Sequence, residues 1–306
     1  VGIKLAKDHT FEHRLKAARD LEAEGKNLHA LQLYLKLVED YPENPDPYYS
    51  LAELYEKAGN LDAAVVLLKN FLDDDPENKS VRLFLGQYLL RNARWEEAIE
   101  FLEYLMPEEE PVAFFFLGYS YFMLKDYERA RVSLLNFVNI EKQTELLHEA
   151  HIYLAKIEIQ LNRYEEALSY AQKANVIYSN FWELNLIFAI TYYNLGMFAH
   201  AVMSAEKAIK LNPQEPAPHE WAGKIYYKLG DYEKSEKSFL KYIELIEDAG
   251  ADVYASLAQA CLKSKKAQDA LTYFDLALKL DPGNKAAIEG KQNASDQLNG
   301  LMLDAQ

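Results

Sequence analysis

Covalent and metal clamps are nearly absent from this chain. It has a single cysteine, Cys261, among 306 residues. That excludes an intrachain disulfide and any cysteine cluster able to hold zinc. A chain without disulfides fits the cytoplasm and does not exclude the periplasm. Positive charge is also short, with 33 basic residues against 48 acidic ones and a formal net charge of −15. Such a surface repels phosphate backbones and anionic headgroups, so neither nucleic acid nor a membrane surface is the expected partner. The aromatic stretch Pro111–Leu124 carries no charge. It is shorter than the roughly 20 apolar residues that span a bilayer as helix. Lys125, Asp126, Glu128 and Arg129 follow it directly. No glycine-rich phosphate loop occurs. The first residue is Val1, which is compatible with a trimmed N-terminal targeting segment.

What the chain does have is internal repetition. The segments YEKAGNLDAA (55–64), YFMLKDYERA (121–130), IQLNRYEEAL (159–168), YYNLGMFAHA (192–201) and YYKLGDYEKS (226–235) share one pattern. Each shows an apolar or aromatic pair, a break, and a small residue at the start of a second helix. Aligned on that small residue, the chain reads Ala30, Ala64, Ala98, Ala130, Ala167, Ala201, Ser235 and Ala270, at spacings of 34, 34, 32, 37, 34, 34 and 35. A second small set lies twelve residues upstream: Ala18, Ala52, Gly86, Gly118, Ala155, Ala189, Gly223 and Ala258. Small residues at both sites let two helix backbones approach closely, where added bulk costs roughly 1–3 kcal/mol. Gly25, Gly59, Gly196 and Gly230 sit in the breaks, where a left-handed residue ends a helix. Pro42, Pro76, Pro213 and Pro282 stop the second helix of their units.

With these residues in phase, the chain resembles the tetratricopeptide repeat family over about residues 11 to 284. Gly223, Tyr226, Leu229, Gly230, Tyr232, Ser235 and Phe239 carry the likeness in one unit; Leu257, Ala258, Ala270, Phe274, Ala277 and Pro282 carry it in another. The resemblance implies an all-α fold, a right-handed superhelical solenoid of helix pairs. Helix A of each pair would face the concave side and helix B the convex side. The expected organisation is an N-terminal extension (1–10), eight units starting near 11, 45, 79, 111, 148, 182, 216 and 251, a capping helix (285–298) ended by Asn299 and Gly300, and a mobile tail (299–306) whose Leu301, Met302 and Leu303 could dock. The pattern departs locally. Glu158 replaces an aromatic, Ser179 replaces a terminal proline, the third unit is short around Pro107, and the fourth is long through IEKQTELL.

Chemistry-bearing motifs are few. In HEAH, His148 and His151 stand three apart rather than the four of a zinc-protease helix, and Glu149 faces elsewhere. The expectation is a partly buried His151 beside a solvated His148. The acidic runs DDDPE (73–77) and EEEP (108–111) lack the spaced oxygens and central glycine of a calcium loop. They suit the first turns of the following helices. Cys261 falls on the apolar stripe of its helix and is expected to be core. No catalytic machinery and no cofactor are expected.

Repeat phase then sorts the aromatic stretch. Phe114, Leu117, Gly118 and Tyr121 occupy packing positions, whereas Phe115, Tyr119 and Phe122 lie about 100° away, on the face that lines the groove in this family. That face also carries Leu83 and Leu90, then Ile152, Lys156 and Ile159, then Leu186, Ile190 and Tyr193, and finally Lys224, Tyr227 and Lys228. The expected role is a non-catalytic adaptor that binds a partner's peptide or helix, with apolar or aromatic anchors, in an apolar groove. Lys156, Lys224 and Lys228 lack the asparagines of the family's carboxylate clamp, and would at most receive a ligand's acidic flank. The alternative is a self-assembling structural protein whose groove or terminal repeat packs on another copy.

Overall fold

A computed structural model describes residues 2–105, 110–141 and 144–304. The turn expected around Pro107 and most of the 108–110 acidic run lie outside the described residues, as do Lys142 and Gln143. So do the side chains of Leu301, Met302 and Leu303. Every described element is an α-helix. The chain divides into two units, residues 1–143 and 144–306. Unit 1 holds α1 (Gly2–Ala23), α2 (Asn27–Asp40), α3 (Asp46–Lys57), α4 (Leu61–Asp74), α5 (Lys79–Arg91), α6 (Trp95–Leu102), α7 (Pro111–Met123) and α8 (Tyr127–Ile140). Unit 2 holds α9 (Glu145–Gln160), α10 (Tyr164–Tyr178), α11 (Trp182–Asn194), α12 (Phe198–Leu211), α13 (Pro216–Leu229), α14 (Tyr232–Leu245), α15 (Ala251–Lys263), α16 (Ala267–Leu280) and α17 (Lys285–Asp304). Odd-numbered helices are the A members of the pairs and even-numbered ones the B members.

Within a pair the two helices are antiparallel neighbours because the break between them is left-handed. Gly25, Gly59, Gly196 and Gly230 adopt φ of 75°, 76°, 74° and 80°. The other four pairs use Ala93, Lys125, Asn162 and Lys265 at φ 56° to 61° in the same place. The turn is therefore uniform although glycine supplies it only half the time. Several B helices start on a side-chain cap: Asn60 accepts from the Ala63 amide, Asp126 from Arg129 and Asp231 from Lys234. The helices that precede Pro42, Pro76, Pro213 and Pro282 end at Asp40, Asp74, Leu211 and Leu280.

The core is the seam between A and B helices. Every alanine and glycine of the upstream small set is buried, as is every member of the downstream set. A Cβ on Gly86 would lie 2.5 Å from Leu102, one on Gly118 2.5 Å from Leu134, and one on Gly223 2.8 Å from the Phe239 ring. In unit 1 Tyr34 and Leu37 pack with Ala18 and Ala30, and in unit 2 Phe239 and Phe274 pack with Ala258 and Ala270, all essentially inaccessible. Gly290 of α17 repeats the device. A Cβ there would collide with the Phe274 ring, so α17 packs as an A helix without a partner B.

One expected boundary is corrected. The helix placed at 285–298 runs on to Asp304, through Asn299 and Gly300. No proline follows, and leucine and methionine favour helix enough to carry the chain past one glycine. The N-terminal extension is likewise helical from Gly2.

Candidate functional site

In each unit successive A helices touch one another (α5 with α7, and α9, α11, α13, α15 and α17 in series), so their inner faces form a continuous strip. In unit 1 the strip is narrower than the sequence suggests. Tyr119 and Phe122 are half-buried, and Leu83 is partly exposed. Phe115 is only 6% exposed and Leu90 7%, so neither belongs to an open floor. The Phe115 ring lies 5.6 Å from Phe137 of α8 and 5.7 Å from Phe116. Conversely Phe114, assigned to the core, remains partly exposed. The physical reason is that α7 packs against α5, α6 and α8 at once, so its buried arc is wider than a two-helix seam. What stays open is held by aromatic edges. Tyr119 meets Trp95 at 5.6 Å, nearly perpendicular, and Phe122 meets Tyr127 at 6.0 Å.

In unit 2, Ile152 is also buried, packed with Ala155, Ala171, Ala174 and Leu184. Ile159, Leu186, Ile190 and Tyr193 are half-buried on α9 and α11. Tyr193 leans edge-on against Phe198 at 5.7 Å and Trp221 at 5.5 Å, and desolvation pushes its hydroxyl pKa up. Trp221 thus joins α11 to α13 on this strip, a role the sequence reading missed. The signal was its place beside Glu220 and Lys224. The lysines are mostly engaged. Lys156 pairs with Glu183 at 2.6 Å, and Lys224 pairs with Glu220 at 2.5 Å while lying 4.6 Å over Trp221. Lys228 is exposed and has no ion pair among the described residues. Tyr227 stacks edge-on against Tyr232 and opens onto a cleft of about 630 Å³ floored by Leu262 and walled by Gln259, Asn293 and Gln297.

A second regularity lies four residues before the upstream small site. Tyr48 donates to the Pro42 carbonyl at 3.2 Å, and Asn185 Nδ2 to that of Ser179 at 3.3 Å. His219 Nε2 meets the Pro213 carbonyl at 3.1 Å. Each carbonyl is six residues back, at the stop of the preceding B helix. His151 holds the same position in α9, but its buried Nδ1 has no partner, and neither has that of His148. The two rings are 6.4 Å apart, His151 stacks on Tyr170 and His148 meets Tyr178 edge-on. Burial first, then Lys173 and His148, pushes the His151 pKa down to about 4. His148 is half-buried, not solvated as expected. Among the described residues no group of three or more His, Cys, Asp or Glu is placed to hold a metal ion. Cys261 is fully buried, and desolvation raises its thiol pKa to about 12, which leaves it without thiolate reactivity. Glu158, in the place of the aromatic, is fully buried with Arg163 Nη1 at 3.9 Å. No described helix is long and apolar enough to cross a membrane.

Family models described as tetratricopeptide repeat match residues 33–66, 57–111, 183–215, 219–248 and 251–284. The TPR repeat-containing protein MJ1428 of Methanocaldococcus jannaschii is 23% identical over 274 residues, covering 85% of this chain and 44% of that protein. The BBSome complex member BBS4 of Bos taurus is 24% identical over 231 residues, covering 71% and 44%. The chain thus spans less than half the length of these curated relatives. Among solved structures, the APC/C hetero-tetramer Cut9–Hcn1 superposes with a TM-score of 0.59 at 19% identity, over 88% of this chain and 52% of that one. The type IV pilus biogenesis factor PilW gives 0.58 at 19% identity, over 70% and 98%. These likenesses establish the fold.

Proposed function

Because the chain belongs to the tetratricopeptide repeat family, whose members are protein-interaction scaffolds, we propose that it is a non-catalytic adaptor whose A-helix strips hold a segment of a partner protein. One observation carries this reading. In unit 2 the half-buried apolar side chains Ile159, Leu186, Ile190 and Tyr193 line up across touching helices, with Trp221 beside them. Contiguous apolar surface of this kind marks interaction sites, and Tyr and Trp are enriched where partners anchor. Tyr119 and Phe122 offer the corresponding surface in unit 1. Each large side chain covered contributes roughly 1.5–3 kcal/mol of gross burial, before association costs. Phe115, Ile152 and Leu90 support the strips from beneath rather than touching a ligand.

The test is affinity capture from source-cell lysate with the wild type, Tyr119→Glu/Phe122→Glu and Ile190→Glu/Tyr193→Glu, each checked for helicity by circular dichroism. A partner lost from a folded variant places binding on that strip. A partner retained by both variants overturns the reading.

A further inference from the structure

In three units the side chain four residues before the upstream small site reaches a main-chain carbonyl: Tyr48 that of Pro42, Asn185 that of Ser179 and His219 that of Pro213. Helix α9 breaks the rule because it starts earlier relative to its small site. Glu145, six residues before His151, is its first residue, so that carbonyl belongs to the helix's own first turn. The added turn also carries His148. Two imidazoles therefore stand three residues apart on one helix, where side chains are neighbours. Neither buried Nδ1 has a hydrogen-bond partner. Tyr88, Thr191 and Ser264 also bury a polar atom without a partner, but on α5, on α11 and at the end of α15, each alone. Only at His148 and His151 do two such atoms come ring beside ring.

The surroundings narrow what the pair can hold. His151 is 8% exposed and stacks on the Tyr170 ring at 6.0 Å, and the half-buried His148 meets Tyr178 edge-on at 6.4 Å. Among the described residues no carboxylate, thiolate or further imidazole completes a set of three ligands. Zinc and nickel, which take four ligands or more, would have to find the rest in water. Lys173, 4.9 Å over the Tyr170 ring, opposes a doubly charged ion more than a singly charged one. Glu145 and Glu149 on the same stretch of α9 offset that charge. Copper(I) and silver(I) are closed-shell ions that two nitrogen donors satisfy in a near-linear arrangement. The two ring centres are 6.4 Å apart. Two metal–nitrogen bonds of about 2.0 Å, end to end between two imidazoles, set the ring centres roughly 6 Å apart.

We propose that His148 and His151 form a two-coordinate site for copper(I), held between their Nδ1 atoms. Each ring then keeps its proton on Nε2 and gives the Nδ1 lone pair to the ion. The Tyr170 and Tyr178 rings supply the apolar shell that limits further donors. His148 is the more open of the two and gives the ion its way in. None of the strip residues takes part, so the site stands or falls apart from partner binding.

Copper(I), supplied without oxygen and competed against bicinchoninate, tests it on the whole chain carrying Cys261→Ala, which removes the single thiol. Circular dichroism verifies the fold. The expected result is one bound equivalent, shifted ring resonances for both histidines, and a copper X-ray absorption edge of two nitrogen donors. Silver(I), which undergoes no redox change, should shift the same two rings. His151→Phe and His148→Gln should each weaken binding by about 100-fold or more, since a lost ligand counts for at least as much as a lost outer-shell contact. The resonances and the edge are read without any histidine substitution, so they decide the matter even where a variant fails to fold. The proposal is overturned if copper(I) binds while both rings stay unshifted, if the edge shows sulfur donors, or if zinc binds more tightly than copper(I). It is also overturned if no stoichiometric ion binds, which would leave a bridging water as the partner of the two nitrogens.

Discussion

Helices α7 and α13 are the same device with different surfaces. Gly118 packs on Leu134 as Gly223 packs on Phe239. Tyr121 donates to Glu103, at the C-terminal end of α6, and Tyr226 donates to Glu206 of α12. Arg129 lies 4.5 Å over the first ring and Lys234 5.1 Å over the second. Asp126 and Asp231 cap the B helices that follow. Differences on the open strip and in the turn bear on recognition and on the break. The open strip carries Tyr119 and Phe122 in α7 but Lys224 and Tyr227 in α13, and the turn carries Lys125 in one and Gly230 in the other. What the two share holds the fold, so what differs is free to serve recognition.

The sharpest way to break this equivalence is at the two glycines. Gly118→Ala puts a Cβ 2.5 Å from Leu134 Cγ and 3.2 Å from the Ala130 carbonyl oxygen, neither a flexible chain end. The atoms nearest a Cβ on Gly223 all belong to the Phe239 ring, from 2.8 Å. Overpacking of this kind costs about 3 kcal/mol for the first and about 2 kcal/mol for the second. Urea unfolding should rank them in that order. Equal stability of wild type and Gly118→Ala would mean that the helices can part without loss.

Helix α9 also holds a histidine at the packing position that His219 occupies in α13. His219 has the Pro213 carbonyl; His151 has no partner on its buried Nδ1. The His151 pKa falls from 6.5 unfolded to about 4 folded, so the folded state resists the proton. Stability is full above pH 6.5 and declines as pH falls from there toward 4, where the charged form dominates in both states. By linkage the loss is about 2 kcal/mol at pH 5. His148 and the Tyr170 ring face it, and Lys173 and His148 add charge. Going from pH 7.5 to pH 5 should lower the melting temperature of wild type more than that of His151→Phe. A difference that does not change with pH would assign the acid sensitivity elsewhere.

Much of the packing was legible because small residues must recur where backbones approach, and glycine and proline punctuate the helices. Gly86, Gly118 and Gly223 were readable for that reason. Gly290 escaped because it lies in a helix without a B partner, past the last full period. The burial of Phe115, Leu90 and Ile152 was not readable. A repeat template treats an A helix as one seam, whereas each of these helices packs against several neighbours. Trp221 was overlooked because periodicity sorts residues along a helix, and its contact with Tyr193 is between helices. The carbonyl six residues behind Tyr48, Asn185 and His219 is a main-chain atom, invisible in side-chain patterning.

The turn offers a smaller contrast. Lys125 holds φ 61° where Gly230 holds φ 80°, and nothing lies within 4 Å of a Cβ added to Gly230. Left-handed backbone costs a residue with a Cβ about 1 kcal/mol. Gly230→Ala should therefore destabilise by about 1 kcal/mol, and Lys125→Gly should stabilise by up to about that amount, both read from thermal melts. Asn162→Gly should do less, since asparagine tolerates this region. Opposite signs at Lys125 and Gly230 confirm one turn geometry; the same sign at both breaks the equivalence.

The smallest effect belongs to the lysines of the α13 strip. Lys224 is already paired with Glu220, an i,i+4 contact of the kind that contributes about 0.3–0.5 kcal/mol. Its reversal disturbs that pair before it reaches any ligand. Lys228 is exposed and its charge is not matched by a described ion pair. A ligand with an acidic flank would therefore register Lys228→Glu first. Its affinity for the captured partner should fall severalfold at 50 mM salt and hardly at all at 500 mM, because exposed charges are screened over about 10 Å at 0.1 M and over less at higher salt. Lys224→Glu should add little beyond that. Unchanged affinity at low salt would assign the α13 strip an apolar role only, through Trp221 and Tyr227, and remove the remaining difference in charge between it and α7.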